Sequence, residues 1–139
     1  MSRYYLRIGI ACTYIGLVVG ELHACTKMSP VPIMSPHNTT VYVPVGEDYP
    51  FYDNGSYDPD DDPPGQTGSQ AAQDAIISWR WWVDYWYLWD SYPYTYFWSN
   101  YPGWYYLALE VEDDDYEWSE YCDYVDICVF AAILDFIQA

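Results

Sequence analysis

The chain has 139 residues, room for one domain, with 22 % aromatic residues and 21 Asp and Glu against 4 Lys and Arg, a net charge of −17. So acidic a surface repels phosphate backbones and anionic headgroups, which excludes nucleic acid and disfavours direct membrane-surface binding. It suits a cationic partner or a divalent cation, and it also keeps an aromatic-rich chain dispersed.

The first 25 residues, MSRYYLRIGIACTYIGLVVGELHAC, carry a basic head at Arg3 and Arg7 and then an uncharged run from Ile8 to Gly20. Charge, length and small-residue order fit an export signal, and the run is shorter than the ~20 residues of a spanning helix. Two cleavage readings compete. Val18-Val19-Gly20 suits a conventional peptidase cutting before Glu21. Leu22-His23-Ala24-Cys25 resembles the lipobox of bacterial lipoproteins, although His23 stands where that family has a small or β-branched residue. That resemblance implies that Cys25 becomes the lipidated first residue, so that the chain meets a membrane only through its lipid. An even pair, Cys122 and Cys128, then remains for a disulfide, although six residues along a continuous helix span ~9 Å, too far to bridge.

Residues 25–69 read as a Pro-rich acidic linker or arm. SPVPIMSP allows neither helix nor regular ladder. One short strand is expected in TTVYVPV (Thr39 to Val45), confined to a sheet edge by Pro44. Asn38-Thr39-Thr40 and Asn54-Gly55-Ser56 are glycan acceptors only if the chain passes through a eukaryotic secretory route. Asp58, Asp60 and Asp62 alternate like the first ligands of an EF-hand, but Pro63 and Ser69 stand where that loop needs Gly and Glu. Weak cation attraction is expected there, and no defined metal site.

Residues 70–139 read as an aromatic-rich α+β domain: helix, β-hairpin, helix. Thr67 with Gln70 forms a capping box, or Ser69 caps directly. Ala72, Ala75, Ile76, Trp79, Trp82, Val83, Trp86 and Trp89 then follow helical spacing, with Arg80 and Asp84 able to pair on the far face, and Pro93 ends the run. Tyr94 to Glu112 is expected to be a hairpin turning at Pro102-Gly103 in type II geometry, with Leu107, Leu109 and Val111 facing inward. Trp118, Tyr121, Cys122, Val125, Cys128, Val129, Ala132, Ile133 and Phe136 repeat at three and four, a second helix.

The catalytic inventory is poor. After residue 25 there is one His, His37, with no nucleophile to pair, no phosphate-binding loop and no zinc spacing. No cofactor and no catalytic residue is assigned. What stands out is the stretch from Ser78 to Tyr106. Most of its rings suit a small core, and the hairpin tip leaves Trp98, Tyr101 and Trp104 as candidates for stacking on a ligand. The sequence therefore predicts an exported, non-catalytic binding or adhesion-type (lipo)protein, whose partner is a protein or a glycan. Two alternatives stay open: a surface component that self-associates, and a secreted acidic inhibitor of a basic protein, for which Tyr49, Tyr52, Tyr57, Tyr116, Tyr121 and Tyr124 lie among acids in settings that resemble tyrosine-sulfation sites.

Overall fold

The computed structural model describes residues 27–84, 86–88 and 91–131; the segment expected to be an export signal and Cys25 lie outside them, as do Trp89, Ala132, Ile133 and Phe136. Strands come in the order β1 (Met34–Ser35), β2 (Thr40–Pro44), β3 (Tyr49–Asp53), β4 (Ile76–Val83), β5 (Trp86–Leu88), β6 (Tyr94–Phe97), β7 (Gly103–Asp113) and β8 (Asp123–Phe130). A 3₁₀ turn (Pro59–Asp61) and one short helix, α1 (Gln70–Asp74), lie between β3 and β4. The strands make two sheets, β1-β3-β6 and β2-β8-β7-β4-β5. All pairings within them are antiparallel except that of β2 with β8. Met34, Phe51 and Phe97 from the small sheet and Val41, Trp81, Leu107, Leu109 and Ile127 from the large one form one buried cluster. This is a β-sandwich.

The helix–hairpin–helix expectation is therefore wrong, and the reason is the period of burial. In β4, Trp79, Trp81 and Val83 face the core cluster while Ser78, Arg80 and Trp82 lie on the other side of the sheet. In β8, Val125, Ile127 and Val129 are buried between exposed Tyr124, Asp126 and Phe130. Both are period two, the signature of a strand. Ser69 does cap a helix, its hydroxyl accepting from the Ala72 N–H at 3.3 Å, but α1 ends after Asp74 and the chain turns straight into β4. Aromatic and β-branched residues prefer the pleated surface, and from Ile76 onward they dominate.

The arm is not an arm either. Its residues supply β1, β2 and β3, and so contribute to both sheets. The expected strand around TTVYVPV is present as β2, at the outer edge of the large sheet, where Pro44 needs no ladder donor. The Tyr94–Glu112 hairpin is replaced by a corner: β6 pairs with β3, and β7 pairs with β4 and β8 in the opposite sheet. Gly103 opens β7 at φ 152°, not the φ near +80° of a type II turn, and few L side chains would accept that backbone. Ser99 and Tyr105 fix the corner. The Tyr105 hydroxyl lies 2.8 Å from Ser99 Oγ and donates to the Tyr101 carbonyl at 3.0 Å, while Ser99 Oγ accepts from the Tyr101 N–H at 3.0 Å. The tight connection is instead β4 to β5, where Asp84 takes the left-handed conformation (φ 51°) that two-residue hairpin loops require.

Polar ties cross the sandwich. The Trp79 indole N–H of β4 donates to Asp53 of β3, and the Met34 N–H of β1 donates to Asp123 of β8 at 2.7 Å.

Candidate functional site

The solvent face of the large sheet is aromatic. Cross-strand register places Tyr42 of β2, Cys128 of β8 and Trp104 of β7 in one row. Since strands lie ~4.8 Å apart, Tyr42 and Trp104 stand ~10 Å from each other across β8. The next row is Thr40, Asp126 and Tyr106, and the next is Tyr124, Ala108, Trp82 and Tyr87. Phe130 closes the far end opposite Pro44. Tyr106 and Tyr124 stack, with centroids 5.1 Å apart and planes at 27°, and Trp82 leans on Tyr87 at 5.3 Å. Tyr42, Trp104, Tyr106, Tyr124 and Phe130 are all exposed. Folding gives each of these side chains no choice of face. Tyr42 lies between buried Val41 and Val43, Tyr106 between Tyr105 and Leu107 that pack on the core, and Trp104, Tyr124 and Phe130 share the outward parity of their strands, opposite buried Leu107, Leu109, Val125, Ile127 and Val129.

Polar groups border the rings. Glu110 accepts from the Trp82 indole N–H at 2.8 Å and lies 3.5 Å from the Arg80 guanidinium. Arg80 sits 3.7 Å above the Trp118 ring and 5.8 Å from that of Tyr87, and so is held flat by cation–π contact. The expected Arg80–Asp84 pair is not formed. On a strand, residues four apart do not meet, and Glu110, directly opposite in register, takes the role. At the other border, Asn38, Thr39, Thr40, Tyr124, Val125 and Asp126 line a shallow hollow of about 270 Å³.

The three rings named from sequence are all exposed: Trp98 at 57 %, Tyr101 at 75 % and Trp104 at 66 %. They do not form one site. Trp104 belongs to the large-sheet face just described. Trp98 follows Tyr94 and Tyr96 on the outward side of β6, in the small sheet, with Tyr101 in the corner between. Tyr92 and Tyr94 stack there at 5.6 Å, and Tyr52 is exposed on the paired strand. As stacking residues Tyr42, Tyr106, Tyr124 and Phe130 were missed, Tyr124 being singled out only for its acidic setting. The signal for Tyr42, Tyr124 and Phe130 was the outward place in two alternating runs, Val41-Tyr42-Val43 and Tyr124 to Phe130, and that for Tyr106 was its place one residue before the alternating Leu107, Leu109 and Val111.

Cys122 and Cys128 are free thiols. They lie at and just before an extended strand, where six residues span ~20 Å, so the disulfide is ruled out more firmly than on a helix. Burial pushes the Cys122 thiol up to about 11, helped by the charge and hydrogen bond of Glu110.

Asp58, Asp60 and Asp62 do not act as a ligand triplet. Asp58 is buried and caps the 3₁₀ turn, accepting from the Asp60 N–H at 2.9 Å. Asp60 accepts from the Met28 N–H at 3.1 Å. Asp62 accepts from the Gly68 and Ser69 N–H groups at 2.8 and 2.7 Å; against some burial, those bonds hold its carboxyl below the usual carboxylate range. Asp61 instead converges with Asp58 and with Asp114 of the β7–β8 loop.

No family model and no curated protein matches the chain. Among solved structures, the fibronectin(III)-like modules of Clostridium thermocellum CbhA superpose with a TM-score of 0.58 at 18 % identity, over 83 % of this chain and 54 % of theirs. A structure of carbohydrate-binding modules of the β-sandwich superfamily, described for promiscuous specificity, gives a TM-score of 0.54 at 22 % identity, over 78 % of this chain and 37 % of that one. The likeness is one of fold. The chain spans about half, or less, of the length of these structures. Among the described residues, no helix is long and apolar enough to cross a membrane.

Proposed function

We propose that this β-sandwich is an exported, non-catalytic binding module that stacks carbohydrate rings on the outer face of its large sheet. The observation that carries the reading is the row register that sets Tyr42, Trp104, Tyr106 and Tyr124 side by side on three neighbouring strands. A sugar presents an apolar C–H face to an aromatic ring and hydroxyls to its edge. Asp126, Thr40 and Glu110 supply acceptors at the borders of the rings. The net charge of −17 makes neutral or cationic glycans the fitting class, since acidic ones would be repelled. Fold neighbours that include carbohydrate-binding modules support the choice. Export, with Cys25 as a lipid anchor, belongs to the same proposal.

The test is depletion binding and affinity electrophoresis against a panel of neutral β- and α-glucans, xylans, mannans and chitosan. Trp104→Ala and Tyr124→Ala are each expected to weaken binding about 5- to 30-fold, ~1–2 kcal/mol per ring, with Tyr96→Ala unchanged. Binding to no glycan, or loss in Tyr96→Ala alone, rejects the face. A second reading rests on one observation. The small sheet is also aromatic on its outer side, with Tyr52, Tyr94, Tyr96 and Trp98 exposed, so the module has two faces through which copies or a second ligand can be bridged.

A further inference from the structure

We propose that Asp126, set among the rings of the large-sheet face, makes an amino-sugar polymer with protonated amines the preferred ligand of that face, a narrowing that rests on the glycan reading of the same face. Asp126 is exposed on β8 between buried Val125 and Ile127, so its carboxylate stands on the side of the rings. It carries the only charge in the three rows of paired residues that hold Tyr42, Trp104, Tyr106 and Tyr124. Register puts Tyr106 directly opposite it, with ~5 Å between Cβ atoms, and Trp104 one diagonal step away at ~7–8 Å. Tyr42 is the diagonal neighbour on β2, and Tyr124 lies two residues back along β8, ~7 Å away. Four rings thus flank one carboxylate. Among the described residues that carboxylate has no hydrogen bond and no ion pair.

Rings and a carboxylate together recognise an ammonium group. The ring faces attract a cation through their quadrupoles, and the carboxylate supplies the opposite charge and the acceptors for its N–H bonds. The surroundings do not oppose such a ligand. Asp84 flanks Tyr106 from the β4 side, where one of its oxygens accepts from the Tyr106 N–H at 2.9 Å. His37, the one histidine among the described residues, lies 3.3 Å from Asp123, so any charge it takes up sits against a carboxylate. Arg80 is paired with Glu110. The net charge of −17 draws cations toward the whole surface. Room for a sugar unit is at hand. The hollow of about 270 Å³ beside these rings is lined by Asp126 and Tyr124 together with Asn38, Thr39 and Thr40, whose amide and hydroxyls suit sugar hydroxyls. A basic peptide also offers ammonium groups, but on flexible stems and without a flat C–H face to lie on Tyr124.

The experiment titrates the full chain calorimetrically with chitosan oligomers and with fully N-acetylated oligomers of the same length, at mildly acidic pH where the amines are protonated. The free amines are expected to raise affinity about 5- to 30-fold, since an exposed cation–π contact and an exposed ion pair each contribute modestly. In about 1 M salt the ratio of the two affinities should fall toward one. Asp126→Asn keeps an acceptor and removes the charge, and is expected to bring the two affinities together. Glu120→Gln, the same change of charge at an exposed position in the β7–β8 loop, is expected to leave the ratio as it is. Near-UV circular dichroism checks the fold, and Asp126→Thr, whose side chain suits a strand, replaces Asp126→Asn if that variant does not fold. Equal affinity of the wild-type chain for the two oligomers, or a ratio that survives the loss of Asp126 or high salt, overturns the assignment and leaves the glycan reading standing. A lysine-rich peptide that displaces the amino-sugar oligomer at a lower concentration gives the face to a basic protein and overturns it too. Binding of neither oligomer and of no neutral glycan removes the glycan reading, and this assignment with it.

Discussion

Trp81 shows what one side chain does in this core. It is the largest fully buried residue, and its indole N–H donates to the Tyr92 carbonyl at 3.0 Å. It therefore both fills the space between the sheets and satisfies the chain that leads into β6. Trp81→Ala is expected to lower stability by about 3–5 kcal/mol, chiefly through the cavity. Trp81→Phe keeps most of the volume but orphans the carbonyl, and about 1–3 kcal/mol should be lost in urea unfolding. Equal stability of Trp81→Phe and the wild-type chain would show that water serves that carbonyl. At this scale much was legible. Ser69 as a cap, Pro44 at an edge, and Leu107, Leu109 and Val111 inward all follow from neighbours within a few residues. The partner of Arg80 was not, because Glu110 arrives only through strand pairing.

At the level of elements, β4 and β8 were misread for one physical reason. Both of their faces carry rings or aliphatic groups, so apolar residues occur at spacings of two, three and four at once, and helical spacing can be picked out of a strand. The deciding information was residue type, since Trp, Tyr, Val and Ile favour the pleat. Extended geometry at β8 has a chemical consequence for its thiols. Under mild oxidation, Cys122 and Cys128 are expected to remain unbridged within a monomer, as mass spectrometry can show. With its pKa near 11, Cys122 should have about one thiolate in a thousand at pH 8, against about one in four for an ordinary thiol. Iodoacetamide should therefore modify it sluggishly in the folded chain and rapidly in urea. Equal rates in both would mean that Glu110 and burial do not control the thiol.

For the whole molecule, the aromatic face could not be seen in advance. Its rings come from β2, β7 and β8, and only the pairing of residues 40–44 with 126–130 brings Tyr42 into one row with Trp104, across β8. Sequence located one of these rings, Trp104, for a different reason: exposure at a turn that proved to be a corner between sheets. The same pairing has a mechanical consequence. β2 and β8 run parallel, so tension applied at Thr40 and at Phe130 pulls them past each other and loads every bond of the ladder together. Tension applied at Thr40 and Asp126, both at one end, peels the bonds apart singly. In single-molecule pulling the first attachment should therefore resist markedly higher force than the second, and equal forces would show that the pair does not bear load. A module hauled on by whatever it holds would thus be strongest along the line from its first long strand to its last.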